Sequence, residues 1–365
     1  MERSHRETLS VDLLSEILLR LPVRSIIRFN CVSKSWNRLF RDPDFISRHL
    51  STSKKNKRRL IVYYCTGTLD TPVVAMRLFV DRNLISYRDM RRQLPPHFVN
   101  RFVFNFCVEG GLVCLFDRSN SRITLSNPVT REFRVLPECN ESIPHRAYTF
   151  SHTLGFGLDP LSNDYKVVHI RTYMDEDSNM QGPDHYAVYK TSTDSWRVIR
   201  HENPRLFECL GVCPNESNAC ANGVYYWLTD YNILAFHLGN EQFRLMDSPC
   251  GKSFGRLLPV HDRISFWDTE RIEKGARTNE VWILDDEWRW TKVLKIEQPS
   301  QHFERMFGFW QDGKVLAESV TGEFLLYDLE TRDCRELGVK TRVRGDLLQV
   351  YTYVESLVPI RRRNY

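Results

Sequence analysis

Residues 125–136 read LSNPVTREFRVL: a short strand, a polar turn and a second strand led by an aromatic residue. The same pattern returns four times, as VYKTSTDSWRVI (188–199), AFHLGNEQFRLM (235–246), WILDDEWRWTKVL (282–294) and LLYDLETRDCREL (325–337). The copies are 63, 47, 47 and 44 residues apart when they are aligned on Phe133, Trp196, Phe243, Trp290 and Cys334. Repeats of this length, made of alternating strands, are typical of a β-propeller with one four-stranded sheet per blade.

The length of the repeat region indicates the number of blades. Residues 60–358 divide into six units of about 50 residues, and the long first interval holds an acidic, turn-rich insert at 174–184. Apolar strands are left over at both ends of this region, RLIVYY at 59–64 and LLQVYTYVESLV at 347–358. We expect them to pair in one blade, because closure of the ring removes the exposed sheet edges that promote aggregation.

The first fifty residues follow a helical period instead. One apolar stripe recurs at helical spacing, at Leu9, Leu13, Leu14, Ile17, Leu18 and Leu21. Ser10 is predicted to cap this helix and Pro22 to end it. Shorter helices are expected to follow, one capped by Ser33 and one opened by Asp42 and Pro43. Helices this short enclose little core, so the stripe exposes more apolar surface than they can bury, which is typical of a partner-binding module.

These patterns together predict the fold class and the domain organisation. The fold is α plus all-β, with a small N-terminal helical module followed by a β-propeller-like domain of six blades. The predicted boundaries are residues 1–50 for the helical module, 51–59 for a basic linker and 60–360 for the β domain.

Residues 9–50 closely resemble an F-box of the form common among plant proteins, through LLSEILLRLPV, CVSKSW and DPDF. One departure is Ser10, where that family usually carries proline. The resemblance implies binding to the Skp-type adaptor, which joins F-box proteins to the cullin and RING subunits of a ubiquitin ligase. The adaptor contacts that it implies by position are Leu9, Ser10, Leu13, Ile17, Leu18, Leu21, Pro22, Val23, Cys31, Val32 and Trp36. The alternative, above all for Trp36 and Leu14, is that these side chains hold the helices together.

The region after the helical module resembles the F-box-associated interaction domain that follows plant F-boxes. The matching pieces are NPVTREFRVLP, GFGLDPLSNDYKVV, ANGVYYWL, FGFWQDGKVL and YVESLV, spread over residues 110–358. Most of these residues are interpreted as turns and as aromatic core. No target-binding residue is predicted, since Phe266, Trp267 and Trp288 fit either an exposed surface or a blade core.

The charge distribution argues against a nucleic acid partner. The net charge is +5, but residues 1–60 carry +8 and the remainder carries −3. A nucleic-acid-binding protein needs positive charge on its folded body, so no nucleic acid partner is expected. The basic cluster Lys54, Lys55, Lys57, Arg58 and Arg59 is interpreted as a solvated joint, with a nuclear import signal as the alternative.

No apolar run reaches 18 residues and no signal core follows Met1, which predicts a cytoplasmic or nuclear protein without membrane contact.

The sequence predicts no catalytic, metal or cofactor site. The ten cysteines are scattered, without zinc-ligand spacing, and are interpreted as reduced core residues. The GKS at 251–253 lacks the first glycine of a phosphate-binding loop. The acidic run at 285–287 lies at a repeat turn, which favours a solvated hairpin over an acid–base pair. These observations predict a non-enzymatic protein.

Two functional hypotheses remain open at this point. In the first, the chain is the substrate-recognition subunit of a Skp–cullin–F-box ubiquitin ligase, and the β domain binds a target protein. In the second, the propeller binds a small molecule or a glycan, and the F-box regulates its turnover. A deep aromatic-lined cavity with convergent polar groups would favour the second hypothesis.

Overall fold

The computed structural model describes residues 11–56, 59–67, 72–90, 93–98, 105–117, 121–139, 147–175, 185–199, 218–229, 232–249, 251, 255–271, 277–297, 303–311, 313–341 and 348–360. Within these residues four α-helices precede 24 strands. The strands form six sheets of four strands each. This arrangement confirms the predicted N-terminal helical module and six-bladed propeller.

The described part of the helical module contains four helices. Its helices are α1 (Val11–Leu19), α2 (Val23–Phe29), α3 (Lys34–Leu39) and α4 (Pro43–Asn56). Ser33 caps α3, because its hydroxyl oxygen accepts a hydrogen bond from the N–H of Trp36 at 3.1 Å. Asp42 caps α4 by accepting from the N–H groups of Asp44 and Phe45. The predicted cap at Ser10 lies outside the described residues.

The six blades follow one another along the chain, and each blade is an antiparallel meander. The strands of the first blade, apart from its innermost one, are β1 (Arg59–Gly67), β2 (Pro72–Phe79) and β3 (Tyr87–Asp89). Those of the second are β4 (Asn105–Glu109), β5 (Leu112–Asp117), β6 (Arg122–Asn127) and β7 (Glu132–Val135). Those of the third are β8 (Ala147–Asp159), β9 (Asp164–Asp175), β10 (His185–Lys190) and β11 (Ser195–Ile199).

The remaining blades repeat this order. The strands of the fourth are β12 (Asn218–Ala221), β13 (Val224–Leu228), β14 (Asn232–His237) and β15 (Gln242–Asp247). Those of the fifth are β16 (Gly255–Val260), β17 (Arg263–Arg271), β18 (Arg277–Leu284) and β19 (Trp290–Glu297). Those of the sixth are β20 (Phe303–Gln311), β21 (Lys314–Ser319), β22 (Glu323–Asp328) and β23 (Cys334–Lys340).

The last strand closes the ring. Strand β24 (Gln349–Tyr353) returns to the first blade and pairs antiparallel with β1, with Val62 opposite Val350 and Leu60 opposite Thr352. The first blade therefore has the order β24-β1-β2-β3, with its innermost strand supplied by the far end of the chain. This pairing confirms the expectation that the leftover strands share one blade.

Aromatic residues of the repeat tie neighbouring blades together. The indole N–H of Trp196, in the third blade, donates to the carbonyl oxygen of Pro137, which follows the second blade, at 2.7 Å. In the same way Trp290 of the fifth blade donates to the carbonyl oxygen of Asp247 in the fourth, at 3.2 Å. Phe266 and Trp267 are buried in blade cores. The repeat aromatics therefore serve the packing between blades.

Candidate functional site

An apolar ridge runs along the exposed side of α1. Leu13 is 50% exposed and Ile17 is 46% exposed, four residues apart and therefore on one face of the helix. In the turn between α2 and α3, Val32 is 57% exposed. Among the described residues of the helical module, these are the large apolar side chains that are exposed, and all three belong to the predicted adaptor contacts. We call Leu13, Ile17 and Val32 the apolar ridge.

Other predicted contacts lie inside the helical module. Leu18 and Val23 are each 2% exposed, and Leu18 packs in a cluster with Ile26, Phe40 and Phe45. Leu18 therefore contributes to the core of the module, and Val23 is buried. The sequence stripe contains both sets, because a helical period does not distinguish the side that faces its own module from the side that faces a partner.

The remaining predicted contacts divide in the same way. Leu21 and Trp36 are half-buried against the helical core, and the ring of Trp36 stands edge-on to Phe29 at 5.7 Å between centroids. Pro22, which precedes α2, and Cys31, which precedes Val32, are both exposed. Leu9 and Ser10 lie outside the described residues. Leu14 also packs against the helical core, as Trp36 does.

The helical module is attached to the propeller through a short segment after β24. We call residues 354–360 the strap. Its Glu355 is 6% exposed and forms ion pairs with Arg59 of β1 and with Arg24 of α2, the latter at 3.5 Å. Two residues further on, Leu357 packs against the core of the helical module. The strap therefore contacts both domains at once.

Strap and second blade are joined by one asparagine of the repeat motif. The side-chain amide nitrogen of Asn127 donates to the carbonyl oxygens of Ser356 at 3.0 Å and of Val358 at 2.9 Å. Its amide oxygen accepts from the N–H of Val129 at 3.1 Å and so forms the turn that the sequence indicates. The sequence pattern predicts the turn, but it gives no sign of the bonds to the strap.

Helix α4 continues into the segment interpreted as a basic linker. It runs to Asn56, and its Lys54 forms an ion pair with Glu109, the last residue of β4, at 2.9 Å between Nζ and Oε1. Ser53 is buried beneath it. Residues 51–56 are therefore helical and lie against the propeller, whereas Lys57 and Arg58 lie outside the described residues. Since Lys54 and Arg59 are ion-paired, part of the basic cluster is used inside the protein.

Three thiols within the propeller, those of Cys107, Cys114 and Cys220, are poor nucleophiles. Burial raises the pKa of Cys107 to about 11, against a smaller opposite effect of its hydrogen bond with Tyr225. Burial likewise raises the pKa of Cys114 and of Cys220 well above the usual thiol value. Since the thiolate is the reactive form, these residues are suited to packing. Within the described ranges, no group of three or more His, Cys, Asp or Glu side chains is placed to hold a metal ion.

The described helices are also too short or too polar for a membrane. None of them combines the length and the apolar character that are needed to cross a bilayer.

Comparisons with known proteins agree with the two-part architecture. A family model for the F-box domain matches residues 7–48, and one for the F-box associated beta propeller domain matches residues 83–360. Putative F-box protein At4g38870 of Arabidopsis thaliana is 28% identical over 297 residues, which cover 77% of this chain and 66% of the relative. F-box/LRR-repeat protein At2g43260 of the same plant is 26% identical over 367 residues, which cover 96% of this chain and 82% of the relative.

Among solved structures, the likeness is lower. The tricorn protease superposes with a TM-score of 0.40 at 12% identity, over 80% of this chain and 30% of that chain. At this level the likeness carries no functional argument.

Proposed function

The chain belongs to the family of F-box proteins with an F-box associated β-propeller domain, and from that premise we propose that it is the substrate-recognition subunit of a Skp–cullin–F-box ubiquitin ligase. The helical module binds the Skp-type adaptor, and the propeller binds a target protein. The ligation chemistry belongs to the other subunits. The chain contributes by raising the effective concentration of the target's lysines near them.

The exposed apolar ridge is the observation that carries this proposal. Leu13, Ile17 and Val32 are each about half exposed, whereas Leu14, Leu18 and Leu21 of the stripe pack inside the module. Complete burial of a Leu or Ile side chain contributes about 1.5–3 kcal/mol relative to full exposure. Burying the exposed halves of three such side chains against an adaptor therefore contributes a few kcal/mol. An interface needs such an apolar centre to exceed its ordering costs.

Leu13→Asp combined with Ile17→Asp tests the adaptor interface. The double change places two carboxylates in the proposed contact, and we expect the affinity for a purified Skp-type adaptor to fall at least about a hundredfold. The measurement is isothermal titration calorimetry on the full chain, with circular dichroism to verify folding.

The matched control for this test changes two similarly exposed apolar residues of the propeller. Val293 is 50% exposed and Val320 is 42% exposed, and the variant with both changed to Asp should bind the adaptor as the wild type does. Undiminished binding by the Leu13/Ile17 variant, or equal loss in both variants, contradicts the proposed interface.

We propose that the target binds the face of the propeller that points away from α4. Each innermost strand runs toward α4, as the pairing of Glu109 with Lys54 marks for β4. The face where these strands begin is therefore opposite the helical module, and a target held there does not compete with the adaptor. The turn at Val320, between β21 and β22, belongs to that face, whereas the turn at Leu161, between β8 and β9, belongs to the α4 side.

Site-specific crosslinking tests this placement of the target. A photo-reactive amino acid is introduced at Val320 in one variant and at Leu161 in another, and crosslinked proteins are captured from cells with the proteasome inhibited. We expect a protein that accumulates under proteasome inhibition to crosslink through position 320 and not through position 161. It should still be captured by the Leu13/Ile17 variant, which loses adaptor, cullin and RING subunits. Crosslinking of the target through 161 alone places it on the other face.

A further inference from the structure

Four basic side chains lie close to the apolar ridge in the helical module. They are exposed, and they belong to α2, to α3 and to the turn after α3: Arg28, Lys34, Arg38 and Arg41. Val32 of the apolar ridge lies between Arg28 and Lys34 in the chain. Two residues of chain span at most about 7 Å, so Lys34 is a close neighbour of Val32. We call Arg28, Lys34, Arg38 and Arg41 the basic rim.

The basic rim has no acidic partner within the part of the chain that the structure describes. No described carboxylate forms an ion pair with any of its side chains, although the module is described without a gap from α1 to α4. The carboxylates of the module are used elsewhere, since Glu16 and Asp44 pair with Arg48 and Asp42 caps α4. Residues 1–10, which lie outside the described residues, contain two Glu and two Arg and so add no net charge.

The stability of α3 does not explain its basic residues. Lys34 is the first residue of the helix, where the positive end of the helix dipole disfavours a cation. Arg38 lies four residues later on the same side, and like charges at this spacing destabilise a helix. The cap of α3 is supplied by the hydroxyl of Ser33 and needs neither charge. Both charges are therefore suited to a role outside the helix.

Acidic residues border the apolar ridge on α1. Asp12 and Glu16 are exposed, and they precede Leu13 and Ile17 by one residue each. Glu16 is paired with Arg48, so among the described residues Asp12 carries the unpaired negative charge on this side. The border of the apolar ridge is therefore polarised, with an acidic side on α1 and a basic side on α2 and α3.

Charges around an apolar contact act mainly on how fast and in which orientation a partner binds. An oppositely charged surface on the partner raises the association rate by about 10- to 1,000-fold, and like charges that meet in a wrong orientation disfavour it. The three half-exposed side chains of the apolar ridge form a small contact that does not by itself fix an orientation. A polarised border supplies this orientation when the partner carries carboxylates on the side that meets α3.

We propose that the basic rim binds a carboxylate-rich surface of the Skp-type adaptor, next to the adaptor surface that receives the apolar ridge. In the complex, Lys34 and Arg38 lie opposite Asp or Glu side chains of the adaptor. This inference rests on the proposed adaptor function and deepens it, because it gives the charge of the adaptor surface and the orientation in which the adaptor docks.

The salt dependence of association tests this without any variant. Surface plasmon resonance measures the association rate of the full wild-type chain with purified adaptor at two ionic strengths. The Debye length is about 30 Å at an ionic strength of 10 mM and about 3 Å at 1 M. We expect the rate to fall at least about tenfold between these conditions, because salt screens the attraction. A rate that does not change with salt overturns the proposal.

Lys34→Glu combined with Arg38→Glu assigns the attraction to the basic rim. At low ionic strength this variant should associate at least about tenfold more slowly than the wild type, and at high ionic strength the two rates should agree within about twofold. Circular dichroism verifies folding, and a folding defect would slow association at both ionic strengths.

The matched control makes the same change of net charge on the propeller. Lys295 of β19 and Arg332, in the turn between β22 and β23, are exposed, and the variant with both changed to Glu should associate as the wild type does. Equal slowing in the two variants shows an effect of net charge alone and overturns the assignment. A wild-type rate of the Lys34/Arg38 variant at low ionic strength overturns it as well.

A compensating change in the adaptor locates the contact. Each exposed Asp or Glu of the adaptor is changed to Lys in turn, and each product is combined with the Arg38→Glu chain. One of them should associate with this chain at least about tenfold faster than the unchanged adaptor does, because the exchanged charges attract again. Absence of any such rescue contradicts the contact. A wild-type chain that does not bind the adaptor at any ionic strength contradicts the proposed adaptor function instead, so the two failures are distinguishable.

Discussion

Five residues of the repeat turns share a backbone conformation that L-amino acids disfavour. They have φ between 54° and 64° and lie two positions before the alignment residue of each copy: Arg131, Asp194, Glu241, Trp288 and Arg332. A left-handed conformation costs an L-residue roughly 1–2 kcal/mol relative to the right-handed one. The N–H of Arg332 donates to the carbonyl oxygen of Asp328 at 2.9 Å, so the turn is closed by a bond that needs this conformation.

Arg332→Gly should therefore stabilise the protein. Glycine adopts the left-handed region without penalty, and after its greater loss of chain entropy we expect a gain of about 0.5–1 kcal/mol in the free energy of unfolding. Urea denaturation of the full chain measures this. The control is Glu330→Gly in the same turn, where φ is not positive and a loss of about 0.4–1 kcal/mol is expected. Loss of stability in both variants contradicts the interpretation.

A buried carboxylate predicts how stability changes with pH. Burial of Asp159 opposes its ionisation, but hydrogen bonds from Ser162, Lys166 and the N–H of Leu161 outweigh burial and lower its pKa from 3.8 to about 2. A lowered pKa stabilises the fold above the unfolded value and loses that contribution as the pH falls toward 2. The shift corresponds to about 2 kcal/mol at neutral pH.

Asp159→Asn measures this contribution. The free energies of unfolding of wild type and variant should differ most at pH 6. The difference should shrink by about half near pH 3, because the carboxylate of the unfolded wild-type chain becomes protonated there while that of the folded chain is still ionised. Denaturant titrations at a series of pH values provide the comparison. A difference that is the same at pH 6 and pH 3 shows that the variant acts through packing and not through ionisation.

At the scale of elements, the sequence predicts helix caps and turns, but it does not predict how the strap and α4 contact the propeller. Local signals predict the caps of α3 and α4 and the repeat turns, because each depends on residues close together in the chain. The bonds from Asn127 to the strap join residues 229 and 231 positions apart, and no local pattern encodes them. Similarly, the basic run at 54–59 suggests a solvated joint. In the structure Lys54 lies in α4 and forms an ion pair with Glu109 of the propeller, a contact that the sequence does not indicate.

Glu355→Gln should loosen the helical module from the propeller. The change removes the charge that Arg24 and Arg59 share at a site 6% exposed, and breaking such a buried pair costs about 3 kcal/mol. Hydrogen exchange should quicken in α2 and α4 while the propeller strands stay protected and adaptor affinity is kept. Glu323→Gln is the matched control, because its partner Lys340 is 58% exposed and their pair contributes less than about 1 kcal/mol. Equal effects of the two variants contradict a coupling role for Glu355.

At the scale of the whole molecule, the sequence predicts the six blades of the propeller but not the residues that line its interior. The repeat spacing and the leftover end strands predict six blades and their closure. The interior of the ring depends on one short strand from each blade. The cavity that all six innermost strands line therefore follows from closure and cannot be seen in any single repeat. Leu13 and Ile17 of the apolar ridge are predicted only as part of a longer stripe, since a helical period does not distinguish the exposed side from the side packed inside the module.

The folding of the whole β domain depends on its last strand, because that strand closes the ring. Strand β24 supplies the innermost position of the first blade, and the strap after it holds the second blade and the helical module. A chain that ends at Lys340 should therefore lose the cooperative unfolding transition as a whole instead of losing one blade. A synthetic peptide of residues 348–360 should restore the transition by adding its strand to β1, as in strand-addition complexes, whereas a peptide of the same composition in scrambled order should not. Calorimetry distinguishes the cases: a shortened chain that melts like the full one shows that the ring does not depend on its closing strand.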